Sequence, residues 1–457
     1  MNIINIAFTG AQAAQRGMST TSMNVANYLT PGYSRQGIIQ SAVGAGNDAL
    51  SAGSGVRVDS IRRISDQYLV NQVWHSGTRA EYYSAGQKYI GALESVIGAD
   101  GTSLGGGLDK FFASLNALTT QPDSPALRQQ MINEASSMAT RFNNVNSFIE
   151  SQKTSISTQR DALVSNVNIL SANIASFNQQ IADMEGAGSN TSVLRDQRDE
   201  LVKQLSGMMS VRVSEDAAGR YTVSLSDGQP LVSGRNFGQL KSTTNPAGDQ
   251  EVSLAFLNTT FGVKSAMGGQ LGALNDYEQG TLKNMQTAVQ DMAKGIADMF
   301  NQQLANGFDL SGSNTPGKPL FTFDLTSRDG MLQVTDIKPN ELALSSKADE
   351  SGNGDNLKAL LEKKNSAITI GNMGSMSVNE AAAAIISSIG IASRQNKTEL
   401  QAAEAVQYEA QNQRDNLSAV NQDEEAMNLQ VYMQAYQSNL KVIATGNQIF
   451  SDLLNLF

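Results

Sequence analysis

Residues capable of chemistry are few in this 457-residue chain, and their spacing decides what each can do. The stretch GSNTPGKP (312–319) comes within one residue of a phosphate-cradling loop, Gly-x-x-x-x-Gly-Lys-Ser/Thr. Its last position is Pro319, which has neither the hydroxyl that would hold Mg²⁺ nor a backbone N–H. It also follows a helical pattern and opens LFTFD, where a phosphate loop follows a strand and opens a helix, so it reads as a plain loop. GAGNDA (44–49) fits only the loosest dinucleotide fingerprint, in a Ser/Gly-rich loop with no clear helix after it. His75, the sole histidine, sits beside Trp74 with no activated nucleophile in view, and is expected to be a packed or surface residue. QDEEA (422–426) offers carboxylates for a hard cation. A calcium loop, however, spreads its ligands around a glycine, and acidic residues suit a first helical turn, with Asn421 or Ser418 as cap. The absence of cysteine removes disulfides, zinc–thiolate clusters and thiol chemistry. Carboxylates remain as general acids and bases, but nothing in their spacing brings two together. The expectation is no catalytic site, no cofactor and no metal.

The elements that would have to position such residues are built for something else. In SMNVANYLTPGYSRQ (22–36) a small-residue helix runs into Thr30-Pro31-Gly32-Tyr33. Proline bars helix from the residue before it, and Pro-Gly at the central positions predicts a type II turn with φ > 0 at Gly32. The exit direction of the first helix is therefore specified. The formal charge of −10 argues against a nucleic-acid partner, and no run of eighteen apolar residues is present to span a membrane. MNIINIAFTGAQAAQRG lacks a charged region ahead of an apolar one, so no cleavable signal peptide is expected.

Helical periodicity dominates the middle. Phe142, Val145, Ile149, Ile156, Leu163, Val167, Leu170, Ile174, Phe177, Ile181 and Met184 form one seam, interrupted by Gln152 and Arg160. The spacing predicts one coiled-coil-like helix over about 124–185, a turn at GAGSN (186–190), and a returning helix. From Met208 apolar and polar residues alternate, with turns at Ala217–Gly219 and Asp227-Gly228, predicting a small β unit. Leu282, Met285, Val289, Met292, Ile296 and Met299 restart a helix; short strands (LFTFD, MLQVTD, LALSS, AITIG) follow in 308–380. Helix then runs from Val378 to the end, with a break near Ser418–Asp423. In the last helix Leu429, Tyr432, Tyr436, Leu440, Ile443, Asn447, Phe450, Leu454 and Phe457 make one stripe. Met427, Val431, Ala435, Val442, Ile449, Leu453 and Leu456 make a second beside it. So wide an apolar arc must be covered by the first helix, by other molecules, or by both.

These ends carry a resemblance. GMSTTSMNVANYLTPGYSRQ (17–36) resembles the N-terminal motif shared by flagellar rod, hook and hook-associated proteins. MNLQVYMQAYQSNLKVIATGNQIFSDLL (427–454) is similar to their C-terminal helix, and the long central helices favour the hook-associated branch. The resemblance implies a mainly α, elongated multi-domain rod with a smaller β portion and paired terminal helices. It implies a structural adaptor in the extracellular flagellum at the hook–filament junction. Its partners would be copies of itself in a helical ring, the hook protein and the second junction protein. Export would pass through the flagellar type III channel, with a chaperone on the apolar C-terminal helix. The expected domains are 1–40 with 405–457 for assembly, 41–207 with 263–404 for the long helices, and 208–262 for the β unit. The turn would steer the chain outward from the inner tube, with Asn24, Asn27 and Arg35 making polar contacts. Two readings of other classes stand beside it. One is a non-flagellar helical scaffold using the same end helices; the other is a carboxylate-dependent glycosidase, which needs two acids converging in a cleft.

Overall fold

The computed structural model describes residues 2–44, 53–245, 250–263, 267–311 and 316–455. Most of GAGNDA, positions 312–315, Leu456 and Phe457 lie outside the described residues. The chain is mainly helical with small antiparallel sheets, as its periodicities predict, and its contacts divide it into two compact units.

The first unit comprises Met1–Glu81, Ala162–Gly269 and Ala402–Phe457. Helix α1 (Asn2–Ala26) is followed by a hairpin of β1 (Gln36–Val43) and β2 (Gly55–Arg63). The hairpin lies against α1: Val56 donates its N–H to Thr9 Oγ1 at 3.2 Å, and a Cβ on Gly55 would overlap that hydroxyl. Helix α2 (Gln67–Gly98) begins here, and the end of α4 (Pro125–Gly186) carries the seam, with Leu163, Val167, Leu170, Ile174 and Ile181 buried. The turn after α4 uses Gly188 at φ +73°, and α5 (Ser192–Met208) returns.

The β unit is two sheets. Strands β3 (Val211–Glu215), β4 (Tyr221–Leu225), β5 (Pro230–Ser233) and β6 (Asn236–Phe237) make one, in chain order. Strands β7 (Gln239–Thr244), β8 (Gln250–Phe256) and β9 (Thr259–Val263) make the other. Both expected turns are present, with Gly219 and Gly228 at φ +71° and +85°. Alternation puts Tyr221, Val223 and Leu225 on one buried face, which is what period-two patterning predicts.

The second unit comprises Tyr82–Asp161 and Gln270–Gln401. Phe111 and Phe112 of α3 (Leu104–Leu118) meet Phe300 of α7 (Lys283–Leu304). Phe321 of β10 (Phe321–Phe323), paired with β11 (Leu332–Val334), completes the cluster. Between α6 (Gly269–Asp276) and α7 the chain makes one stretch of π-helix, Tyr277–Leu282. The polar interruptions of the α4 seam are buried against it: Gln152 bonds the Tyr277 hydroxyl and Tyr89 O, and Arg160 pairs with Glu278. Helix α8 (Asp355–Glu362) precedes the pair β12 (Ala367–Ile370) and β13 (Gly374–Ser377). LALSS, expected as a strand, is instead a buried segment with a single bridge, Phe308 to Ser345. Helix α9 (Val378–Ser418) ends at the expected break, and α10 (Gln422–Leu454) closes the chain. Asn421 caps α10, accepting the N–H groups of Asp423 and Glu424, so the acidic run at 422–426 occupies a first helical turn.

Candidate assembly surface

The turn after α1 is held by one amide. Tyr33 donates its N–H to Thr30 O at 3.2 Å and Gly32 takes φ +77°, the geometry that Pro-Gly favours. Asn24, buried on the last turns of α1, donates Nδ2–H to Gln36 O and accepts the Gln36 N–H, both at 2.9 Å. Its Oδ1 also accepts the Tyr33 hydroxyl at 2.9 Å. A single side chain thus does the pairing work of a strand neighbour and fixes how the chain leaves the helix. Burial, then the charges of Asp196 and Glu425, push the Tyr33 hydroxyl up to about 12, so it remains a donor.

The same turn is tied to three other elements of its unit. Ser34 N–H donates to Asp196 Oδ2 of α5 at 2.9 Å, and Arg63 donates to Asp196 Oδ1 at 3.1 Å. Burial raises the Asp196 carboxyl while Ser34 and Arg63 pull it down, and burial prevails. Arg35 N–H donates to Ser418 O at 2.8 Å, its carbonyl accepts Ile64 N–H, and its guanidinium meets Glu424 at 2.8 Å. Arg414 donates to Gly32 O at 3.0 Å. Asn27 stays local, donating to Met23 O and accepting the Thr30 hydroxyl on an exposed surface. Asn24, Thr30, Pro31, Gly32, Tyr33 and Arg35 therefore form one joint at the break between α9 and α10.

Helices α1 and α10 pack antiparallel through small residues. Ala7, Ala11, Ala13 and Ala14 of α1 are buried. The ring of Tyr432 lies where a Cβ on Gly17 would come within 2.6 Å, and Asn439 lies 2.7 Å from the Cβ position of Gly10. Ile4 stands 2.8 Å from that of Gly446. Of the C-terminal stripe, Tyr432, Tyr436 and Ile443 are half-buried, whereas Leu429, Leu440 (43% exposed), Asn447, Phe450 (54%) and Leu454 (61%) face outward. The second stripe is equally open at Met427, Val431, Val442, Ile449 and Leu453, as are Ile3 and Phe8 of α1. Phe457 lies outside the described residues. Sequence reasoning passed over Gly10, Gly17, Gly446 and Asn439, although glycines seven apart in a helix were a visible signal, since glycine is costly there without a packing reason.

No group of three or more His, Asp and Glu is placed to hold a metal among the described residues. None of the described helices is long and apolar enough to cross a membrane. What this region offers is surface: two paired helices with apolar rows turned outward, on a joint braced by buried hydrogen bonds.

Known proteins resemble this chain. The family model described as "Flagellar hook-associated protein FlgK helical domain" matches residues 90–321, just over half of the chain. Flagellar hook-associated protein 1 of Escherichia coli K12 is 26% identical over an alignment of 550 residues covering all of both chains. Its namesake in Salmonella typhimurium is 27% identical over 558 residues, again covering both chains fully. The Bacillus subtilis protein of that name is 26% identical over 490 residues, 97% of this chain and 96% of its own. An alignment of 550 positions against a chain of 457 means that the E. coli relative carries stretches this chain does not have. The structure of the flagellar hook junction protein FlgK from Burkholderia pseudomallei superposes with a TM-score of 0.68 at 16% identity, over 76% of this chain and 99% of that one. The chain belongs to the FlgK family of flagellar hook-associated proteins, structural components of the flagellum.

Proposed function

We propose that the chain is a structural subunit of the hook–filament junction, an adaptor that joins the hook protein below to the second junction protein above. It assembles with copies of itself in a helical ring through α1 and α10, and performs no catalysis. One observation carries this reading: α1 covers only part of the apolar arc of α10, and Met427, Leu429, Val431, Leu440, Val442, Ile449, Phe450, Leu453 and Leu454 stand exposed. Exposed apolar rows of this extent are stable only when another surface covers them. Residues 1–40 with 405–457 serve as the assembly domain, 41–207 with 263–404 as the long-helix domain, and 208–262 as a small β domain. The chain leaves the cell through the flagellar type III channel, and an export chaperone shields the C-terminal helix beforehand. In free protein the ends are mobile. Ordering a residue costs about 1–2 kcal/mol of backbone entropy, which a face of alanine and glycine offsets poorly until neighbouring subunits add burial.

The test is deletion of residues 430–457 in cells that make no other copy. Filament-bearing flagella are expected to disappear while the rest of the chain remains folded, and the intact protein is expected in sheared extracellular flagella. Filaments built on the truncated protein, or intact protein absent from sheared flagella, would refute the assignment.

A further inference from the structure

We infer that the mutual register of α1 and α10 is set by side chains seated on heptad-spaced glycines and by one buried polar rung, and that this register is the specificity determinant for joining the flagellum. The inference rests on the assembly reading above. The buried side of α1, which meets both α10 and the hairpin, is nearly uniform in size, with Ala7, Ala11, Ala13 and Ala14. Such a face lets a partner helix slide at little cost. Three contacts prevent it. Gly446 receives Ile4, Gly10 receives Asn439, and Gly17 receives Tyr432. The positions Gly446, Asn439 and Tyr432 fall by seven along α10, and the two glycines of α1 stand seven apart, as antiparallel heptads require. At each seat the nearest atom, of Ile4, Asn439 or Tyr432, is closer than a Cβ allows, at 2.6 to 2.8 Å. Any slip that is not a multiple of seven brings the Tyr432 ring against a residue bearing a Cβ.

A slip of one full heptad would still find glycines, and the next rung forbids it. One step further along the same register stand Asn24 and Glu425, both buried. The Tyr33 hydroxyl donates to Asn24, and burial, then the charges of Asp196 and Glu425, raise its proton affinity. Slipping one way would press Tyr432 onto Asn24, which is already committed to Gln36 and Tyr33. Slipping the other way would bring the carboxylate of Glu425 to Gly17 on the small apolar face. Buried polar groups are known to fix register in this manner. The register in turn sets the height at which the outward rows, Val431 to Leu453 on α10 with Ile3 and Phe8 on α1, meet a neighbour.

The experiment uses full-length chain as the only copy in flagellated cells, with the protein quantified in sheared flagella, in the medium and in the cells. Gly17→Ala is expected to lower incorporation roughly tenfold or more, the effect of overpacking a tight seat. The matched pair Gly17→Ala/Tyr432→Ala is expected to restore incorporation to near that of Tyr432→Ala alone. The mismatched pair Gly17→Ala/Asn439→Ala is not. Gly17→Ala incorporated at or above the native level, as helix propensity alone would produce, would overturn the inference. So would equal rescue by the mismatched pair, or loss of the matched pair from all three fractions. Absence of the unsubstituted protein from flagella would instead refute the assembly reading, so the two failures are distinguishable.

Discussion

Replacing Asn178 by alanine should loosen the β unit from α4, by an amount the structure allows one to work out. Asn178 is fully buried on α4. Its Nδ2 donates to Tyr221 O at 2.8 Å and to Gly234 O at 2.9 Å. Its Oδ1 accepts from Tyr221 N–H and from Arg198, each at 2.9 Å. Arg198 is itself buried, stacked 3.4 Å over the Tyr221 ring, and keeps a second bond to Gly219 O. Asn178→Ala therefore strands one N–H, two carbonyls and part of one guanidinium in a dry contact. At about 1 kcal/mol for each neutral group and somewhat more for the charged one, the loss is about 4 kcal/mol. The assay is amide hydrogen exchange at Tyr221, which reports local opening. A tenfold change corresponds to about 1.4 kcal/mol, so exchange should accelerate on the order of a thousandfold. Asn178→Asp, which keeps the acceptor for Tyr221 N–H and Arg198 but loses both donations, should fall between. Protection at Tyr221 unchanged within about tenfold in Asn178→Ala would show that water or repacking replaces these bonds, and would refute the reasoning.

Two further outcomes follow from single side chains. Arg128, buried and lowered to about 10 by that burial, donates to the carbonyls of Pro122, Pro339 and Leu342; Arg128→Lys, lacking the fork, should cost about 2–3 kcal/mol in the urea unfolding of the second unit, and an unshifted midpoint would contradict this. Glu185 is raised by burial but lowered more by Thr191 and Arg195, so its folded carboxyl lies below the ordinary 4.5. Its contribution is therefore complete above that value and lost as pH falls through the lowered one, and Glu185→Gln should flatten the stability difference between about pH 6 and about pH 3.

What the sequence by itself determined was local. Steps of three and four placed the buried faces of α4 and α7, because a helix brings such positions to one side whatever lies opposite. Pro31-Gly32 specified a turn, and Asn421 ahead of three acids specified a helix start, because each acts through its own backbone neighbours. The missing cysteines and the lone histidine bounded the chemistry without any fold at all. Tertiary structure decided what those faces meet. Gln152 and Arg160 read as breaks in a seam, and only the π-helical stretch more than a hundred residues away makes them buried partners. QGIIQSAV and GVRVDSIRR became a hairpin because α1 supplies Thr9 and a surface to lie on. LALSS is apolar enough for a strand yet makes only one bridge, since burial does not by itself supply an edge to pair with. Of the stripe on α10, the pattern marked the whole arc as apolar; the smallness of the α1 face decided how much of it one chain could cover and how much was left for a neighbour. Periodicity records which side of an element is apolar, whereas coverage depends on the size and reach of residues far away in the chain.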